Sequence, residues 1–179
     1  MGITHQKQWT DDELMALPDE GKHELVDGEV VHMSPAGWRH GNVVMRLAGR
    51  MEPFARQHRL GELFDGQTGF RLPNGGLRCP DISFVRAERL LKEPPKGFLY
   101  VVPDLVVEIV SPTDRAAYVS RKVAEYLSLG VRLLWVIDPE TRSAVVYRPG
   151  QEPHRPSNDT LDGEDVLPGF RCSLSELLS

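Results

Sequence analysis

The run Leu105-Val106-Val107-Glu108-Ile109-Val110 constrains this chain more than any other stretch. Its β-branched residues suit a central strand covered on both faces, yet a carboxylate stands inside it. Side chains alternate along a strand, so Glu108 shares a face with Val106 and Val110. An ionised carboxylate in that setting is costly unless it is paired or binds metal. Asp81 is placed in a similar way. It follows Pro80 at the entrance of the strand-like Ile82-Ser83-Phe84-Val85, where a proline's missing N–H is tolerated. Two hard oxygen ligands at adjacent strand ends suit Mg²⁺ or Mn²⁺, with waters and phosphate oxygens completing the shell.

Lys122 is the second anomaly. Ser111-Pro112-Thr113-Asp114 breaks the strand and offers a helix N-cap. The helix is predicted over 114–129 and stops at Gly130, a normal C-terminal signal. Its inward stripe reads Ala116, Val119, Val123, Tyr126 and Leu127, with Lys122 at the edge. This helix leaves the end of the Glu108 strand and must fold back over the sheet. Lys122 can thereby return its ammonium toward Glu108, to orient an attacking water or offset charge developing at phosphorus. Residues 131–137 read as another buried strand, so the strand-helix-strand unit is a right-handed crossover if its strands are parallel.

The remaining segments fill out the layers. Thr10 to Leu17 reads as a short helix with the capping-box pair Thr10 and Glu13, ended by Pro18. Glu24 to Val26 and Glu29 to Met33 form a hairpin around the Asp27-Gly28 turn. Trp38 to about Leu60 is a longer helix, with Val43, Val44, Leu47, Met51 and Phe54 at helical spacing. Pro53 predicts a kink or break near its end. Its other face carries Arg39, Arg46, Arg50, Arg56 and Arg59, a candidate phosphate-contacting surface. Strand signals at 61–64 and 68–72 flank Asp65-Gly66, and Asn74-Gly75-Gly76 is another turn. A short helix and a Pro94-Pro95 loop fall within 86–100. Ser143 to Tyr147 is a hairpin partner, 148–160 a polar surface loop, and a terminal helix starts at Ser173. This order predicts an α/β (α+β) fold: a mixed sheet flanked by helices. The 179 residues suit a single domain over 1–179.

Several phrases together resemble a known family. They are His23-Glu24-Leu25-Val26-Asp27-Gly28-Glu29, Ser34-Pro35, Pro80-Asp81-Ile82-Ser83-Phe84-Val85, 103–112 (PDLVVEIVSP), and Lys122 through Asp138-Pro139. The pair Pro80-Asp81 followed by Glu108 is similar to the PD-(D/E)XK nuclease superfamily. The ordered set is more closely similar to the Uma-type family of restriction endonucleases within it, over about Thr10 to Leu178. The resemblance implies a restriction-endonuclease-like mixed sheet and metal-dependent hydrolysis of DNA phosphodiester bonds. By motif, Asp81 and Glu108 match the acidic ligands, and the main-chain carbonyl of Ile109 would complete the ligand set. In the broad superfamily a lysine stands two residues after the second acid, where this chain has Val110. In the Uma-type pattern it sits on the following helix, where Lys122 matches. Glu24 lies in the phrase that supplies a third acid to such sites, and His40 is positioned to face the same cleft.

Composition narrows the alternatives. The formal net charge of −5 counts against a protein that grips nucleic acid by bulk electrostatics, because phosphate binding rests on Lys and Arg releasing counterions. A local patch through Arg39, Arg46 and Arg50 is compatible with it, so DNA is the expected partner. No apolar run approaches the roughly 20 residues needed to cross a bilayer, and the segment MGITHQKQWT has no signal core, so a cytoplasmic protein is expected. Cys79 and Cys172 are then free thiols. The histidines show no HxH or HExxH spacing for zinc, and no phosphate-binding glycine loop occurs. Cutting both strands of a duplex is easiest with two symmetric sites, which favours a homodimer. The rival reading is a catalytically inactive nucleic-acid- or protein-binding module on the same fold, and a third is cleavage of RNA or a small phosphate ester. Asp104, just before the strand, reads as a turn or cap residue.

Overall fold

The computed structural model describes residues 7–18 and 21–179. The reading of the first six residues as free of a signal core lies outside them. α1 (Asp11–Met15) is closed by the expected capping box, with Thr10 and Glu13 bonding each other's backbone amides. β1 (Lys22–Val26) and β2 (Glu29–Met33) pair antiparallel, Leu25 opposite Val30. The turn between them needs positive φ at Asp27 (49°) and Gly28 (79°), as a tight hairpin does.

α2 (Trp38–Gln57) buries Val43, Leu47, Met51 and Ala55. The break expected at Pro53 does not occur, and the helix runs on to Gln57. Proline removes one helical hydrogen bond, but Met51 and Ala55, on either side of it, are 0% and 1% exposed. Their packing holds the last turn in place.

Two sheets follow. β3 (Gly61–Asp65), β6 (Ile82–Arg86), β7 (Leu105–Ile109), β8 (Leu133–Asp138) and β9 (Ser143–Tyr147) form a five-stranded sheet in the order β3-β6-β7-β8-β9. Only β7 and β8 are parallel within it, and the chain between them is α3 (Ala116–Ser128). β4 (Phe70–Arg71) and β5 (Leu77–Arg78) join the hairpin in a smaller sheet ordered β2-β1-β5-β4. The Asp65-Gly66 turn therefore hands the chain from one sheet to the other. β10 (Thr160–Asp162) pairs with β11 (Arg171–Ser173), and α4 (Leu174–Leu177) ends the chain's regular structure.

The sheet faces divide the core. Leu105, Val107 and Ile109 of β7 join Leu47 and Met51 of α2 in the main apolar cluster. Val106 packs instead with Val123 and Tyr126 of α3. Glu108 lies on this second face, as strand alternation requires. α3 starts two residues later than expected, because the Asp114 carboxylate accepts from the Ser111 amide at 2.8 Å and serves the preceding turn rather than the helix. Ala116, expected inward, is consequently exposed at the helix start, whereas Lys122 is buried. No helix among the described residues is long and apolar enough to cross a membrane.

Gly61 opens β3 at φ 151°, and a Cβ there would stand 2.1 Å from the Val85 carbonyl oxygen. Gly61→Ala is therefore expected to lose about 2 kcal/mol of stability, read from its urea unfolding midpoint. A midpoint equal to the parent's would contradict the close approach of β3 to β6.

Candidate functional site

The register of the main sheet creates the site. Ile82 stands opposite Val107, so one step further brings Asp81 and Glu108 together at neighbouring strand ends. Glu108 faces α3, where Lys122 Nζ lies 2.8 Å and Tyr126 Oη 2.9 Å from its carboxylate. Helical spacing sets both donors, because residues four apart lie on one face. Burial pushes the Glu108 carboxyl up, and repulsion from Asp81 and Glu24 adds to that against the pull of Lys122. Burial opposes the Lys122 charge, but Glu108 and Glu24 outweigh it and raise its pKa. Tyr126 is held protonated by burial and by the Glu108 charge, so it is the donor to this carboxylate.

Asp81 is held from two sides. His40 Nε2 on α2 is 3.0 Å from its Oδ2, and the Ile109 amide donates to the same oxygen at 2.8 Å. Burial alone would raise Asp81, yet the His40 hydrogen bond, the Lys22 charge and the Ile109 amide hold it below the usual carboxylate range. Its Oδ1 faces Lys22 Nζ at 3.7 Å. In an extended strand the N–H and C=O of one residue point to the same side, so the Ile109 carbonyl also lies on the Asp81 side of β7.

The small sheet approaches these groups from the other direction. Glu24, fully buried, accepts from Arg78 at 2.8 Å, Tyr118 at 3.1 Å and the Cys79 amide at 3.2 Å, with Lys122 at 3.5 Å. Burial would raise its pKa, but Lys122, Arg78 and these hydrogen bonds hold it down. Arg78 also pairs with Glu125 on α3. Cys79 is buried, its thiol pushed up by desolvation to about 11, so it is not a nucleophile. Among the described residues Glu24 pairs with Arg78 and Lys122, Glu125 with Arg78, and Glu108 with Lys122, while Asp81 pairs with Lys22 and meets His40.

No group of three or more His, Cys, Asp or Glu side chains among the described residues is arranged as a metal cage. A site that keeps waters and uses one or two carboxylates does not need one. The donor set of Asp81, Glu108 and the Ile109 carbonyl fits a divalent ion of that kind.

The sequence expectations meet the geometry unevenly. Asp81, Glu108, Lys122, Glu24, Ile109 and His40 are brought together in one cluster. Of the arginines, Arg39 lies one residue from His40 and pairs with Glu140 at 2.7 Å. Arg46 instead donates to the carbonyls of Leu177 and Ser179, and Arg50 to the Arg46 carbonyl. Asp104 is fully buried, caps the Arg86 amide and pairs with Arg89, a structural role. Sequence reasoning missed Arg78, Tyr118, Glu125 and Lys22. Two signals were available: Lys22 shares a strand face with Glu24 by alternation, and Arg78 stands three residues before Asp81.

A family model, Uma2, described as "Putative restriction endonuclease", matches residues 10–175. Among solved structures, a crystal structure of a "putative nuclease belonging to DUF820" from Anabaena variabilis superposes with a TM-score of 0.82 at 21% identity, covering 95% of this chain and 97% of that one. At that identity the likeness speaks for the fold. No curated protein matches the chain.

Removing one partner of a buried charge network leaves the others uncompensated. Arg78→Met is expected to cost about 3–5 kcal/mol in urea unfolding, and a loss under about 1 kcal/mol would mean that Glu24 does not depend on it. The acid limb carries a second test. The Asp81 pKa lies below its ordinary 3.8, so its contribution to stability is complete above that value and is lost as pH falls through the folded one. Unfolding free energies of Asp81→Asn should vary less with pH below about 4 than the parent's; parallel curves would remove Asp81 from the linkage.

Proposed function

Because the chain belongs to the Uma2 family, described as "Putative restriction endonuclease", we propose that the Asp81–Glu108 cleft hydrolyses DNA phosphodiester bonds with the help of Mg²⁺ or Mn²⁺. The observation that carries this reading is the placement of two carboxylates at adjacent strand ends with a buried lysine on the second. Asp81, Glu108 and the Ile109 carbonyl would hold the ion. When bound, such an ion supplies Lewis acidity toward the scissile phosphate and lowers the pKa of water.

The chain's own groups prepare the rest. His40 and the Ile109 amide fix Asp81 by one oxygen and leave Oδ1 toward the cleft. Lys122 holds Glu108 in place, offsets its charge and contributes positive potential at the reacting centre. Glu24, anchored by Arg78 and Tyr118, keeps Lys122 from withdrawing. Tyr126 fixes the other side of Glu108. Arg39, beside His40 at the cleft end of α2, is the arginine best placed to meet a neighbouring phosphate after leaving Glu140.

A second reading has its own support. Lys122 and Tyr126 already satisfy Glu108, as in a site kept for structure in a binding module. Metal binding separates the two.

Plasmid and single-stranded DNA cleavage with Mg²⁺, Mn²⁺ or EDTA tests the proposal. Cleavage should require metal, vanish in Asp81→Ala and Glu108→Ala, and drop about 100-fold or more in Lys122→Met, with far-UV circular dichroism preserved. Undiminished cleavage in the Asp81 and Glu108 variants would overturn the assignment. Absence of both cleavage and a calorimetric Mn²⁺ site sensitive to Asp81→Ala would leave the binding module.

A further inference from the structure

Two ammonium groups border the cleft, and they are held differently. Lys122 is buried, with Nζ 2.8 Å from Glu108 and 3.5 Å from Glu24. Moving it onto a substrate would strand two desolvated carboxylates. Lys22 lies on the far side of Asp81. Two residues before Glu24 on β1, it shares that residue's face of the small sheet. Its Nζ stands 3.7 Å from Asp81 Oδ1 and its side chain is 16% exposed. That distance is an ion pair without a hydrogen bond, and among the described residues Asp81 is its one ion-pair partner.

A glycine stands beside this ammonium. Gly66 lies over it: a Cβ at Gly66 would be 3.7 Å from Lys22 Nζ and 3.5 Å from Asp81 Cα. A longer side chain there would cover both groups. Asp81 itself is anchored through Oδ2, which takes both the His40 and the Ile109 hydrogen bonds, so loss of the Lys22 contact would not release it.

We propose that Lys22 is a substrate-contacting residue, whose ammonium leaves Asp81 Oδ1 for a nonbridging oxygen of a phosphodiester in the cleft while Lys122 stays with Glu108 and Glu24. The inference rests on the nuclease reading and divides the work between the two lysines. A divalent ion at Asp81 repels the Lys22 ammonium, and the flexible four-carbon stem lets it follow the negative charge of the substrate. Without metal the same ammonium balances Asp81. The metal thus takes over the Asp81 charge that Lys22 neutralises in its absence, and the freed ammonium pairs with the substrate phosphate.

The test pairs Lys22→Met with Lys22→Arg, reading DNA cleavage, Mn²⁺ affinity by calorimetry, and thermal stability. In Lys22→Met, kcat should fall about 100-fold while Mn²⁺ binds as tightly as in the parent or about threefold tighter, because a repelling charge has gone. Lys22→Arg should recover most of the rate. Unchanged cleavage in Lys22→Met overturns the proposal, and so does a loss of cleavage accompanied by weaker Mn²⁺ binding, which would place Lys22 behind Asp81 as a support. Should the parent not cleave DNA, the nuclease reading fails by itself, and binding of a thymidine dinucleotide with Mn²⁺ decides the contact. About tenfold weaker binding by Lys22→Met upholds it, and equal binding overturns it.

Discussion

The desolvation of Glu108 is the constraint on which the site depends. A carboxylate in the middle of a covered strand loses its water and must be compensated by fixed donors. Lys122 and Tyr126 compensate it from α3, but a buried ammonium needs compensation in turn, and Glu24 supplies it from the small sheet. Glu24 then requires Arg78, which extends to Glu125 back on α3. The chain of requirements closes on itself. Such networks are poor sources of net stability, yet each member is costly to remove alone. That asymmetry makes the arrangement specific: hydrophobic replacements of the whole set could fold, but partial ones would not be tolerated.

The same network joins the two sheets. The small sheet has a modest apolar cluster of its own, in which the buried members are Leu14, Leu25 and Leu77. Its attachment to α3 is largely polar: Arg78 with Glu125, Asn74 with Glu125 at 2.9 Å, and Arg121 with Asp27. The site therefore lies at a seam between the main sheet, packed on α2, and a smaller one joined to it by the apolar cluster of Phe70, Leu72 and Val85 as well as by these charges. Placing the two carboxylates at this seam leaves them partly reachable from solvent without opening the core. Asp81 and Glu108 keep 12% and 15% side-chain exposure despite their position.

Much of this was legible in the sequence because the relevant signals were local. The Asp27-Gly28 turn, the stripe of α2 and the β-branched run of β7 each follow from a period or a turn rule. Glu108 announced itself by breaking an apolar run. Glu24 did not, because a glutamate in a short hairpin strand is ordinarily a solvent-facing residue, and only the sheet's packing on α3 buries it. Arg78 and Glu125 are 47 positions apart in the chain, and neither stands in an apolar pattern that would make its charge conspicuous. The helix start at Ala116 was misread for the opposite reason: Asp114 has the right side chain for a cap, but a turn claimed it first.

Val110 shows how a site can move its cation without losing it. Val110, two residues beyond Glu108 and one past the end of β7, packs with the apolar cluster beneath α3. A lysine there would approach Glu108 along the strand; here the ammonium descends from the helix above the same face. The two routes differ in what they commit. A strand-end lysine borders solvent and can shift between acid and substrate, whereas Lys122 is enclosed by two carboxylates and a tyrosine ring 5.9 Å from its Nζ. On the nuclease reading, relocation would make Lys122 a fixed counter-charge and leave the part of a mobile cation open. Lys22, paired with Asp81 at 3.7 Å without a hydrogen bond, is the second lysine beside the carboxylates of the site and would take that part.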